Sequence, residues 1–301
     1  MAQRNGAITA LTLVLLLLGV AAIRVPFSAP ASRVTILYDA FGTSPKMRKD
    51  WGYSAFVEHG GKRILFDTGN NPAIFAQNVR AAGVDLTTLD VVVISHRHLD
   101  HTAGLSYLLR VNPRVTIYAP REAFGVFGSA LPNTFYRKVD SLPAAMRYFD
   151  GHPADTLTFG TVWPGGHFVP VDSTVSIAPG AHLVSLVSDA VGTKELRELS
   201  LVLDTPAGMV VIAGCSHPGI ENIVAAAAGL GRPVHMVFGG FHLPAATDTE
   251  IARVAATLHD TYRVARLAPG HCTGEPAFYH FKRVWKDSYV YAGVGSVIDI
   301  P

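Results

Sequence analysis

The segment Ser95-His96-Arg97-His98-Leu99-Asp100-His101 places three imidazoles and one carboxylate within six consecutive positions. Neutral imidazole is a common ligand for borderline divalent metals, and a carboxylate offsets the charge of cations held in a half-buried cleft. His96 and His98 are two apart, so on extended backbone they project to one side and can chelate a single ion. Asp100 and His101 fall where the chain bends, facing a second ion. The chemistry such a set supports is activation of water. Two dications about 3.5–4 Å apart lower the pKa of a shared water towards neutrality and polarise the bond it attacks. Asp100 then has two tasks, ligation and orientation of the attacking oxygen. No side-chain nucleophile is required, and Ser95 and Ser216 lack the Gly-x-Ser-x-Gly setting of a serine hydrolase.

These residues need a rigid frame. Val91-Val92-Val93-Ile94-Ser95 is a continuous, mostly β-branched run, as expected of a strand buried on both faces, and a helix over 103–109 follows the histidines. Further strands are expected over 34–38, 54–58, 63–66, 114–118, 183–187, 199–203, 209–213, 234–238 and 264–268, with helices over 72–82, 221–228 and 249–261. Short apolar runs alternating with longer periodic ones give an α/β layered fold. The stretch 121–166 is less regular, rich in Pro, Phe and Tyr, and reads as an excursion over one edge that shapes a pocket.

The composition narrows the function classes. The chain has 301 residues, 49% of them hydrophobic and 16% charged, against about 25% charged in average soluble proteins, which excludes disorder and coiled coil. Lys and Arg exceed Asp and Glu by 25 − 23 = 2, too little for a field that would hold a nucleic acid. Two cysteines, Cys215 and Cys272, exclude a disulfide scaffold and a four-cysteine zinc site. Residues 7–23 are uncharged and strongly apolar, preceded by Arg4 and followed by Arg24. They read as a signal peptide, with Ala29-Pro30-Ala31 as a small-x-small cleavage site, or as a membrane anchor near the lower limit of about 17 spanning residues. The organisation expected is therefore an address over 1–31 and one domain over 32–301. The domain is exported, either periplasmic or tethered through 7–23 to the outer face of the cytoplasmic membrane.

His96-x-His98-x-Asp100-His101, with Leu65-Phe66-Asp67-Thr68-Gly69 upstream, resembles the metallo-β-lactamase superfamily. The segments Gly214-Cys215-Ser216-His217-Pro218-Gly219-Ile220, Phe238-Gly239-Gly240-Phe241-His242-Leu243 and Pro269-Gly270-His271-Cys272-Thr273-Gly274 are similar to its dihydropterin-ribofuranosylaminobenzene-phosphate synthase-like branch. The resemblance runs from about residue 34 to 272 and beyond. It implies an αββα sandwich of four layers with a dinuclear site between two sheets, loaded with two divalent ions, zinc foremost, with iron or manganese as alternatives.

The further site residues follow from it. His217 comes after an apolar strand and a Gly-Cys-Ser turn, as the third ligand of the first metal. His271 takes the position of the last ligand of the second. Asp67 is expected beneath the metal turn as a hydrogen-bond acceptor. His242 contacts substrate, buttresses the site or is structural, and Glu198 stabilises a loop. His167 is better read as a loop histidine than as one over the cleft, and His59, His152, His182, His235, His259 and His280 are background. One departure stands out: the slot where many members carry a bridging aspartate holds Cys215. A thiolate there supplies the missing charge, or the second metal binds weakly. Cys215 and Cys272 both fall near the metals, so a disulfide between them is a further possibility in an oxidising compartment. Taken together, the chain is expected to be a metal-dependent hydrolase of a small ester, lactone, amide or phosphoester. The alternatives are an iron-dependent redox enzyme on the same fold and a metal-binding protein without turnover.

Overall fold

The computed structural model describes residues 32–121, 128–134, 136–160, 163, 165–193 and 195–301, besides the first two. The apolar stretch over 7–23 lies outside the described residues, and among those described no helix is long and apolar enough to cross a membrane.

In chain order the strands are β1 (Ser32–Tyr38), β2 (Ser54–His59), β3 (Lys62–Phe66), β4 (Val91–Val93), β5 (Thr116–Pro120), β6 (Gly128–Pro132), β7 (Thr156–Gly160), β8 (His167–Val171), β9 (Val175–Ala178), β10 (Ala181–Val187), β11 (Arg197–Thr205), β12 (Gly208–Ala213), β13 (Val234–Gly240), β14 (Arg266–Gly270) and β15 (Val297–Ile300). The α-helices are α1 (Pro72–Ala81), α2 (Leu99–Thr102), α3 (Leu105–Val111), α4 (Ile220–Ala228), α5 (Asp248–Ala256) and α6 (Glu275–Trp285). One sheet runs β15-β1-β2-β3-β4-β5-β8 and a second β14-β13-β12-β11-β10-β9. In each, antiparallel hairpins occupy one side, while β3-β4-β5-β8 and β12-β13-β14 are parallel.

The strand period of two divides these residues between layers. Ile64 and Phe66 face Leu201, Val210, Ile212 and Phe238 of the other sheet in one core. Leu65 and Val92 point the opposite way, onto Phe75 and Val79 of α1 and Leu105 and Leu108 of α3. Met209, Val211 and Ala213 pack outward on α4, α5 and α6, where Ala277, Phe281 and Trp285 form a buried stripe at i, i+4 and i+8. The result is the four-layer αββα sandwich.

Several expected boundaries move. The helix expected over 103–109 is α3, shifted to 105–111, and the short α2 precedes it; between them the Ala103 N–H is shared between Leu99 O and Gly69 O. The helix over 249–261 ends as α at Ala256 and continues as a wider turn to Thr261. The excursion contains the β6–β7 ribbon and a cavity of about 230 Å³ lined by Tyr136, Lys138, Leu142, Met146, Arg147 and Tyr148, but by none of the clustered histidines. Strands β8, β9 and β15 and helix α6 had no counterpart in the sequence reading.

Strand β13 runs beside β12 in the parallel ladder, with Gly239 opposite Ala213. Gly239 has φ +102°, and a Cβ there would stand 1.9 Å from Ala213 O. Gly239→Ala is expected to cost about 3 kcal/mol or more, from backbone strain and overlap together, and to lower the midpoint of thermal unfolding accordingly.

Candidate metal centre

The parallel strands deliver their C-terminal ends to one edge of the sandwich. Asp67 follows β3, Ser95 and His96 follow β4, Cys215 to His217 follow β12, His242 follows β13 and His271 follows β14. Leu199 N donates to Ser95 O across the sheets at 2.8 Å, tying β11 to the first histidine turn.

Asp67 is fully buried. Its Oδ1 accepts from Ser95 N at 2.7 Å, and its Oδ2 lies 2.7 Å from both Ser95 Oγ and His101 Nδ1. With the Nδ1 proton of His101 given to Asp67, Nε2 presents its lone pair to the cleft. Ser95 Oγ, donating to Asp67, accepts from His96 Nδ1 at 2.8 Å, which leaves the lone pair on His96 Nε2, 3.1 Å from His98 Nδ1. One carboxylate thus orients two imidazoles. Burial opposes a charge on His101, yet Asp67 and Asp100 raise its pKa to about 9, so the spot favours positive charge and Nε2 holds a proton at neutral pH until a cation displaces it. His96, enclosed by burial and by other imidazoles, is held well below the ordinary histidine range.

A second buried carboxylate shapes the second turn. Glu198, on β11, accepts from Cys215 N at 2.9 Å and Ser216 N at 2.7 Å on Oε1, and from His217 N at 2.8 Å on Oε2. Gly214 lets this turn close on the first, because a Cβ there would lie 2.2 Å from Ser95 Oγ. A third carboxylate, Asp39, follows β1 and accepts from His271 N at 2.9 Å on Oδ2 and from Ala40 N at 2.6 Å on Oδ1. Burial pushes Asp39 up to about 7, with the His271 N–H pulling the other way. Trp51, half exposed, lies with its ring centre 5.1 Å from that of His271.

The turns bring the imidazoles into one cluster. Ring centres are 4.7 Å apart for His96 and His98, 4.9 Å for His96 and His217, 4.8 Å for His98 and His217, and 5.0 Å for His101 and His271. Asp100 Oδ2 lies 3.3 Å from His271 Nε2 and 3.7 Å from His101 Nε2. Burial raises the Asp100 carboxyl, but the two rings outweigh it and hold the group well below the usual range. Burial and the surrounding imidazoles lower His217 to about 3, so it is neutral at physiological pH. Both ring nitrogens of His217 and of His271 are buried without a hydrogen bond. An unsatisfied buried polar group costs about 1–3 kcal/mol, so the His217 ring, facing other imidazoles, lacks a structural explanation, and His271 has only the misaligned Asp100 Oδ2 at 3.3 Å beside its Nε2. A cation would supply the missing partner. Donor atoms of His96, Cys215 and His217 lie within 4.8 Å of one another, as do those of His101, Cys215 and His271. The residues present fit two divalent ions.

All six expected ligands, His96, His98, Asp100, His101, His217 and His271, therefore meet, with Asp67 beneath them. His242 is exposed at the mouth, its ring centre 4.2 Å from that of His217. The two cysteines are not joined: both thiols are free, and Cys272 Sγ points to Cys215 O at 3.6 Å. His167 lies at the start of β8, beside Thr116 on exposed sheet surface. Asp39 and Trp51 escaped the sequence reading, although Asp39 ends an apolar strand just as Asp67 does.

In Asp67→Asn an amide nitrogen must face either the Ser95 N–H or the donors now directed at Oδ2. Zinc affinity, measured by competition with a chromophoric chelator, is expected to fall about 10–100-fold.

The family model described as metallo-beta-lactamase superfamily matches residues 36–271. The 7,8-dihydropterin-6-methyl-4-(beta-D-ribofuranosyl)-aminobenzene-5'-phosphate synthase of Methanocaldococcus jannaschii is 27% identical over 271 residues, covering 80% of this chain and 86% of the relative. Tm1679, described as a metal-dependent hydrolase of the beta-lactamase superfamily, superposes with a TM-score of 0.68 at 26% identity, over 89% of this chain and 99% of its own. An anaerobic nitric oxide reductase flavorubredoxin of Aeromonas hydrophila matches more locally, at 27% identity over 51% of this chain and 28% of the relative. With its matched span, its four layers and its histidine cluster, the chain belongs to the metallo-β-lactamase superfamily.

Proposed function

We propose that the chain is a metal-dependent hydrolase with a dinuclear site, zinc foremost, acting on a small ester, lactone, amide or phosphoester. The observation that carries this reading is the pair of buried imidazoles of His217 and His271, whose ring nitrogens make no hydrogen bond and face the donors of the His96–His101 turn. His96, His98 and His217 would hold one ion, and Asp100, His101 and His271 the other. When bound, the ions acidify water and polarise a carbonyl or phosphoryl bond. The protein's own groups do the rest. Asp100, whose side chain is 20% exposed at the rim, accepts a hydrogen bond from the attacking water and sets its direction. His242, whose interaction with Cys272 raises its pKa, is placed to donate to a substrate oxygen. Trp51 offers an apolar wall beside His271 for the organic part of the substrate.

The local likeness to flavorubredoxins favours a second reading, iron in the same ligands and redox turnover, because imidazole suits iron as well as zinc. Metal content separates the two. Elemental mass spectrometry of protein purified without an affinity metal is expected to find zinc approaching about two per chain, in keeping with a two-metal site. A panel of esters, lactones and phosphodiesters should then yield activity that a chelator removes and added zinc restores. The double variant His96→Ala, His98→Ala is expected to lose the first ion and all turnover; retention of both would defeat the assignment. Iron in place of zinc would bring the redox reading forward.

A further inference from the structure

We infer that Cys215 is the shared ligand of the two metal positions, a bridging thiolate standing where a carboxylate would otherwise serve. This rests on the two-metal reading above and deepens it. The Cys215 sulfur belongs to both donor groups, with His96 and His217 on one side and His101 and His271 on the other, and lies 3.2 Å from His101 Nε2.

Two dications about 3.5–4 Å apart repel strongly unless an anion lies between them. The buried carboxylates near the cluster are already committed. Asp67 Oδ1 is taken by Ser95 N and its Oδ2 by Ser95 Oγ and His101 Nδ1. Asp39 spends its oxygens on Ala40 N and His271 N, and Glu198 accepts three backbone N–H groups from residues 215–217. Asp100 stands at the rim beside His101 and His271, within reach of one donor group only. Among the described residues, Cys215 is the source of negative charge whose donor atom belongs to both groups of buried imidazoles. Its sulfur has lone pairs for two ions, and ion binding expels the thiol proton to solvent.

Glu198 fixes this arrangement through the backbone. The same carboxylate that holds His217 N holds Cys215 N, so one turn carries both a terminal ligand and the bridge. Cys272 is placed differently. Its Sγ points to Cys215 O, and its donor group is Cys215 with His242, apart from the four buried imidazoles. A sulfur bridge also selects among metals: thiolate suits zinc, cobalt and iron and disfavours magnesium and manganese, which prefer oxygen ligands.

The test uses cobalt(II) loaded into the full-length protein, read by metal content and by the near-ultraviolet sulfur-to-cobalt charge-transfer band. The wild type is expected to take about two cobalt ions and to show the band. Cys215→Ser should abolish the band and weaken one of the two ions at least about tenfold. Cys215→Asp should keep both ions without the band, and Cys272→Ser should keep both ions and the band. Two bound ions with no band in the wild type, a band that survives in Cys215→Ser, or one that depends on Cys272 would each overturn the bridge and leave the two-metal reading standing. Wild-type protein that takes up no cobalt would overturn that reading, and the bridge with it.

Discussion

Asp67 takes three hydrogen bonds in a fully buried position, and the orientation of the metal-facing imidazoles starts from them. A carboxylate removed from water is costly unless each oxygen is met by donors. Here the donors are Ser95 N, Ser95 Oγ and His101 Nδ1, so the requirement that stabilises the charge also fixes the tautomer of His101 and, through Ser95, that of His96. Glu198 and Asp39 repeat the device at the other two turns, gripping the backbone of residues 215–217 and of His271. Each ligand turn therefore stands on its own buried carboxyl group, and the imidazoles above are free to turn their nitrogens to a cation.

The strain in the backbone is distributed accordingly. Asp67, Ser216, His242 and His271 all have positive φ, a region that costs a residue with a Cβ about 1–3 kcal/mol. Such conformations persist only where the surroundings over-determine them. The carboxylate grips on residues 216 and 271, and the bond from Ser216 Oγ to Gly240 O at 2.6 Å, provide that. The two sheets supply the rest, because their packed core leaves the parallel strand ends no freedom to drift apart.

The electrostatics set this chain's site apart from a carboxylate-rich one. Of the described acidic groups near the imidazoles, Asp67, Glu198 and Asp39 are turned to backbone, hydroxyl and imidazole N–H donors, while Asp100 faces the rim. Charge compensation for bound cations would therefore fall on Asp100 and on sulfur, and Trp51 keeps one side of the mouth apolar.

Much of this was legible in the residues. The His96–His101 spacing after a β-branched run, the strand-then-turn setting of His217 and His271, and the period-two alternation that makes two buried sheet faces are local patterns, and local patterns survive in a linear string. The edge strands β8, β9 and β15 were not legible, since an edge is defined by which neighbour it pairs with. The same holds for the grips of Glu198 and Asp39 and for the meeting of Cys215 with both imidazole groups. Asp39 and His271 are 232 residues apart, and His101 and Cys215 are 114 apart. The sequence alone determined which candidate ligands exist and that they cluster in turns after strands, because side-chain chemistry and short-range periodicity are properties of neighbours in the chain. Which carboxylates turn inward to hold the backbone, and which sulfur lies between the two imidazole groups, was decided only when the sheets packed and long-range contacts put those atoms together.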